Sequence, residues 1–178
     1  MSARDAVLIS VSELMRITVA DDRPAILDVR WRLDQPDGRA NYLAGHIPGA
    51  IYASLEEEFS DHSRTGRGRH PLPSGADLQA AMRRWGLRAN QPIVVYDDWN
   101  RAGSARAWWV LTAAGLTDVR ILDGGLSTWT AAGGALQSGE VITVAGDVTV
   151  PHDDLYAGGR ATLTAEQTRL VDAHLVGS

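Results

Sequence analysis

Short apolar runs alternate along the chain with stretches in which apolar residues recur every three or four positions. The runs are Val7-Leu8-Ile9, Ala25-Ile26-Leu27-Asp28-Val29, Ile51-Tyr52-Ala53, Ile93-Val94-Val95-Tyr96 and Val119-Arg120-Ile121-Leu122. They are short and rich in β-branched residues. Several are apolar on successive positions, as strands buried on both faces are. The stretches between them read as helices. Ser10 and Glu13 have capping-box spacing, and the helix they open predicts Leu14, Met15 and Val19 as its buried face. Arg39 to Ala44 predicts a short helix after the Pro36-Asp37-Gly38 turn. Ser74 caps a helix with Leu78, Ala81, Met82 and Trp85 at i, i+3, i+4 and i+7, and Gly86 stops it. A helix from Ser104 places Ala107, Trp108, Leu111 and Ala114 on one face, and Leu126 to Ala132 predicts another that carries Trp129.

Strand and helix in alternation, joined by short turns, predict an α/β fold with a parallel sheet covered on both faces. Two stretches break the rhythm. Ser60 to Pro73 is rich in Arg, Gly and Pro and reads as a surface loop. After Gly133-Gly134 the alternation stops. The expected organisation is a domain over 1–136, a linker over 137–161, and an opening helix of a second domain over 162–178. Thr164 and Gln167 would form the capping box of that helix. The competing expectation is a C-terminal helix that docks back on the first domain.

Composition narrows the chemistry. The chain has no cysteine, which removes disulfides, thiolate catalysis and thiolate metal sites together. Every basic residue is arginine, so lysine nucleophiles and Schiff bases are excluded as well. The formal charge of −5, with the arginines scattered, predicts neither nucleic acid nor an acidic membrane as a partner. No apolar run approaches membrane-spanning length and Met1 to Arg4 does not resemble a signal peptide, so a soluble cytoplasmic protein is expected. His62, His70, His152 and His174 lack metal-ligand spacing, and neither a metal nor a cofactor is expected.

Candidate chemistry centres on the strand Ile93 to Tyr96. It runs into Asp97 and Asp98, then into the polar loop Trp99-Asn100-Arg101-Ala102-Gly103 and a helix at Ser104. Ligands in open α/β sheets sit outside the carboxyl ends of strands. An aspartyl-phosphate nucleophile at Asp97 would call for Asp-x-Asp and a lysine, and the chain reads Asp97-Asp98-Trp99 with no lysine.

Several segments together resemble the rhodanese (sulfurtransferase) domain. Asp28-Val29-Arg30 is similar to its strand-end motif. Tyr42-Leu43-Ala44-Gly45-His46-Ile47-Pro48-Gly49-Ala50 and Leu122-Asp123-Gly124-Gly125-Leu126-Ser127-Thr128-Trp129 are similar to its two signatures. The likeness spans about Ser10 to Gly134. It implies a five-stranded parallel sheet with helices on both faces. Trp31 after the strand-end motif, the loop Gly68 to Ser74, and Tyr96-Asp97 where catalytic domains read Tyr-Cys resemble the first, non-catalytic domain of two-domain thiosulfate or 3-mercaptopyruvate sulfurtransferases.

That resemblance implies a protein moving sulfane sulfur from a small anionic donor to cyanide or a thiol, with the cysteine in a second rhodanese domain. The alternative is a stand-alone, cysteine-free module with a binding or regulatory role. Residues Asp98 to Ser104 would keep the N–H cradle of a catalytic loop, with Asp97 as its internal plug. Arg30 matches an anion-binding position and is expected to pair with Asp97 or Asp98, or to lie at a domain interface. Arg101 and Arg106 flank the loop and are expected as solvated arginines, with anion or interdomain contact as the other option. Trp31 and Trp99 are expected to face a partner domain. His46 is expected to hydrogen-bond backbone within the signature that includes Pro48 and Gly49, and Asp123, Gly124 and Gly125 mark the second signature.

Overall fold

The computed structural model describes residues 4–19, 23–164 and 166–168. Its centre is a five-stranded sheet of β1 (Leu8–Ile9), β2 (Ala25–Asp28), β3 (Ile51–Tyr52), β4 (Ile93–Tyr96) and β5 (Val119–Leu122). The spatial order is β1-β5-β4-β2-β3 and every pairing is parallel. All strands therefore end at one edge of the molecule, and the loops that follow them gather there. The helices are α1 (Val11–Ile17), α2 (Arg39–Ala44), α3 (Gly75–Arg84), α4 (Ala102–Ala113) and α5 (Gly125–Ala131).

The period of two along each strand sorts residues into two apolar layers. Leu27, Ile93 and Val95 pack with Leu78, Met82 and Trp85 of the α3 region and Val110 and Leu111 of α4. Ile26, Val94 and Tyr96 pack on the other face with Leu14 of α1 and Trp129 of α5. Both central strands are buried along their whole length, as the continuous apolar runs require. Among the described residues no helix is long and apolar enough to cross a membrane.

Local chemistry sets the helix ends. The Ser10 hydroxyl accepts the N–H of Glu13 at 3.2 Å, and the Ser74 hydroxyl accepts that of Asp77 at 3.0 Å. Gly86 follows α3 with φ 77°, the left-handed conformation that ends a helix without a side-chain clash. Two helix expectations shift. Val19 is 84% exposed, because α1 stops at Ile17 and the chain turns away before it. Helix α4 begins at Ala102, two residues before Ser104: Arg101 adopts φ 66° and the Asn100 carboxamide oxygen accepts the Ala102 N–H at 3.0 Å. On α4, Val110 is fully buried while Trp108 is only partly so.

The stretch 137–161, expected as a linker, lies against the domain. Gln137 pairs with His46 through backbone hydrogen bonds in both directions. Val148 and Leu155 are buried at 2% and 1% exposure. Gly146 N–H donates to Arg83 O, Gly75 N–H to Asp153 O, and Gly159 N–H to Ala113 O. Contacts with the domain thus run well past residue 136. The capping box beyond them forms, with Gln167 N–H on the Thr164 hydroxyl at 3.1 Å and Thr164 N–H on the Gln167 side chain at 2.8 Å. Residues 169–178 of the helix expected there lie outside the described residues.

Candidate functional site

Strand β4 delivers Asp97 to the edge where the loops gather. One carboxylate oxygen accepts both the backbone N–H and the hydroxyl of Ser104, at 3.0 and 2.9 Å, and the other accepts the Trp99 N–H at 3.3 Å. The side chain is 4% exposed. The loop is held by two close backbone approaches. A Cβ on Gly103 would stand 1.8 Å from Val29 O, and one on Gly125 would stand 2.4 Å from Asp97 O, which accepts the Leu126 N–H. Only glycine fits either place. Asp98 ion-pairs with Arg32 at 3.7 Å, and the Arg32 guanidinium lies 5.3 Å from the Trp99 ring, which is 53% exposed. The cavity beside Arg30, Trp31 and Asp98 measures about 10 Å³, space for a single water and not for a substrate.

Arg30 does not reach Asp97 or Asp98. Its guanidinium grips Asp28, two residues back, at 2.5 to 3.1 Å, and donates to Gly45 O at 2.9 Å. Tyr96 O–H donates to the same Asp28 carboxylate at 2.5 Å, and the Ile47 N–H donates to the Tyr96 oxygen at 3.2 Å. Asp28 is 0% and Arg30 5% exposed. Burial disfavours the charge on Arg30, but the Asp28 carboxylate outweighs it and the guanidinium pKa is raised. Burial, then the Asp28 charge, pushes the Tyr96 hydroxyl well above its ordinary value. With Asp28 between them, β2 and β4 are tied to the loop before β3. An arginine so engaged is not available to a substrate anion.

A second convergence was not singled out from the sequence. The Glu56 carboxylate accepts Trp31 Nε1 at 2.6 Å and meets His62 Nε2 at 2.8 Å and His70 Nε2 at 3.0 Å. Burial raises the Glu56 pKa, but these three partners outweigh it and hold it below its usual value. The two histidines come from opposite ends of the loop 60–73, so their separation in sequence hid the pairing. Arg106, expected as a solvated arginine, is instead tucked under the same loop. It donates to Phe59 O at 2.9 Å and His70 O at 2.8 Å. Burial lowers its pKa. Arg101 is exposed, and its backbone rather than its side chain shapes the loop. Among the described residues no group of three or more His, Cys, Asp or Glu is arranged to hold a metal ion.

The description "Rhodanese-like domain" belongs to a family model that matches residues 10–132. The chain belongs to the rhodanese family. This rhodanese domain is 65% identical over 167 residues to SseB of Mycobacterium tuberculosis, whose name assigns it provisionally to the thiosulfate sulfurtransferases. The match covers 94% of the chain and 59% of that protein. It is 35% identical to the 3-mercaptopyruvate sulfurtransferase of Escherichia coli over 78% of the chain and 47% of the relative. The crystal structure of SseA from Escherichia coli, described as a 3-mercaptopyruvate sulfotransferase of the rhodanese fold, superposes with a TM-score of 0.78 at 27% identity. It matches 94% of the chain and 62% of its own length. The chain thus spans about half to three-fifths of the length of these relatives.

Within the rhodanese domain the first signature is a buried clamp. His46 is fully buried, stacks on Tyr42 at 4.1 Å, and its Nδ1 lies 2.9 Å from Tyr42 O, the backbone contact expected of it. Gly49, at φ 78°, donates its N–H to the Gln137 side chain at 2.8 Å, in the turn that follows Pro48. The second signature supplies the close approach to Asp97 O through Gly125, while the Asp123 side chain pairs with Arg4 at the surface. Gly124, at φ 83°, has Thr128 Oγ1 where a Cβ would sit. Both signatures act as architecture around the Asp97 loop.

Proposed function

We propose that this chain is the non-catalytic first domain of a two-domain sulfurtransferase. The donor would be a small sulfur anion, thiosulfate or 3-mercaptopyruvate, and the acceptor cyanide or a thiol. The reactive cysteine would lie in a second rhodanese domain that begins beyond the stretch 137–161. The observation that carries this reading is Asp97. It stands where catalytic members of the family have cysteine, and its carboxylate already takes the N–H groups that would cradle a thiolate. A carboxylate has no sulfur to form a persulfide, and the small cavity lined by the neighbouring Asp98 has no room for a donor. The relatives that share the sequence extend well beyond the matched region, which leaves length for a further domain. In the assembled protein this domain would supply one wall of the crevice. The exposed Trp99 and the partly exposed Trp31 at the strand ends are suited to meet the second domain.

The test is a thiosulfate:cyanide sulfurtransferase assay on the isolated chain and on the gene product that carries both domains. The expected result is turnover only in the latter. Turnover by the isolated chain would overturn the reading.

A further inference from the structure

We infer that the arginine loop 62–70 is a collecting surface for small divalent oxyanions, placed at the rim of the Asp97 face. The loop reads His62-Ser63-Arg64-Thr65-Gly66-Arg67-Gly68-Arg69-His70. It holds three arginines, two histidines and no carboxylate, in a chain whose formal charge is −5. Residues 62–69 are all exposed.

Part of its charge is engaged at the root, where His62 and His70 meet Glu56, but among the described residues Arg67 and Arg69 have no ion pair. Arg64 pairs with Asp61 at 2.9 Å. Arg67 lies over the Tyr156 ring at 5.0 Å, a contact that leaves its charge uncancelled. Among the described residues Arg69 has no ion-pair, hydrogen-bond or ring partner of its side chain. Glu56 and Asp61 sit at the root of the loop, and Glu57, Glu58 and Asp77 line the groove beside Asp61 and His62, so the uncancelled charge is that of Arg67 and Arg69 at the tip.

The root is fixed. His62 and His70 meet on Glu56, Asp61 N–H donates to Pro71 O at 3.0 Å, and Arg106 holds the carbonyls of Phe59 and His70. A loop pinned at both ends loses less freedom when its tip engages an ion. The same root touches the candidate site, because the His70 ring packs edge-on to Trp31 at 5.6 Å and Arg106 belongs to α4, which starts at the Asp97 loop.

The partner that fits is small. A polyanion would meet the negative field of the whole chain, whereas a dianion samples mainly the charges within a Debye length, about 8–10 Å at physiological salt. Thiosulfate and sulfate share the required chemistry. That the physiological ion is the sulfur donor rests on the proposed function. Anion capture by the loop does not.

The experiment has two arms. In the first, thiosulfate, sulfate and chloride are titrated at matched ionic strength onto the isotopically labelled chain, with amide shifts as the readout. Both dianions should shift residues 64–69 selectively, and Arg67→Gln with Arg69→Gln should abolish those shifts, while Arg88→Gln, an exposed arginine elsewhere, should not. Shifts no larger than with chloride, or centred away from the loop, overturn the inference. In the second arm, the two-domain protein carrying the Arg67/Arg69 double substitution should show a KM for thiosulfate raised about tenfold at low salt, the low end of the effect of a charged rim, converging with the parent at high salt. An unchanged KM at low salt overturns the assignment of the donor as the ion. Absence of any turnover in the two-domain protein would sink the proposed function, and the first arm would still decide the loop.

Discussion

The Ser104 backbone N–H and hydroxyl both donate to a single oxygen of Asp97, seven residues earlier, at 3.0 and 2.9 Å. The pair closes the loop on itself at the point where a reactive group would otherwise be presented. Replacing Asp97 by Ala leaves the Ser104 and Trp99 N–H groups without their acceptor in a buried place. The expected loss is about 1–3 kcal/mol of stability. Asp97→Asn, which keeps an acceptor oxygen, should lose less. Urea unfolding of the two variants beside the parent measures both, and an Asp97→Ala variant as stable as the parent would remove the plug reading.

The Asp28–Arg30 pair should be among the most sensitive sites in the chain. Arg30→Ala leaves the Asp28 carboxylate at 0% exposure with Tyr96 as its remaining side-chain donor. Breaking a buried pair on one side costs about 3–5 kcal/mol. Tyr96→Phe removes the other donor and the acceptor of Ile47 N–H, with an expected loss of about 1–3 kcal/mol. Because both variants act on one carboxylate, the double variant should depart from the sum of the two. Thermal unfolding by circular dichroism reads all three.

Glycine substitutions should separate close approach from conformation. Gly103→Ala would place a methyl 1.8 Å from Val29 O, and backbone on both sides leaves little room to yield. Gly66, at φ 74°, has nothing within 4 Å of its hypothetical Cβ. Gly66→Ala should therefore cost only the left-handed conformation, about 1–2 kcal/mol. Gly103→Ala should cost clearly more. Equal melting temperatures for the two variants would contradict the packing described for the Asp97 loop.

Acid should loosen the loop 60–73 before it unfolds the sheet. The pKa of Glu56 is depressed in the folded chain, so its contribution is present above its ordinary value of 4.5 and is lost as pH falls below that value through the folded one. Amide protection factors across residues 60–73, taken relative to the intrinsic exchange rate at each pH, should fall in that window while β4 stays protected. Glu56→Gln should show the faster exchange already at neutral pH and should flatten the acid response. A parent loop whose protection factors do not change across that window would show that the Glu56 contacts do not hold it.

Apolar periodicity alone placed every strand within a residue or two of its observed position, because strands buried on both faces leave an uninterrupted apolar run whatever surrounds them. It also placed the capped helices, since Ser10 and Ser74 act on N–H groups three residues away. The identity of Asp97, and with it the absence of a reactive sulfur, is equally a property of the sequence. Tertiary structure decided which charges meet. Arg30 was expected on Asp97 or Asp98, yet the geometry of β2 folds its guanidinium back onto Asp28, and Tyr96 from the neighbouring strand completes that site. Arg106 and Glu56 found partners 6 to 47 residues away, over the loop between β3 and α3. The stretch 137–161 alternates apolar and polar over 141–150 but opens no helix, and its docking rests on backbone hydrogen bonds to His46, Arg83, Gly75 and Ala113 and on the burial of Val148 and Leu155, which no local pattern announces. Local patterns record how an element buries itself. The pairing of polar groups depends on distances that only the assembled sheet sets, and in this chain those pairings hold Arg30 and Asp97 closed and leave the arginines at the tip of the loop 62–70 open.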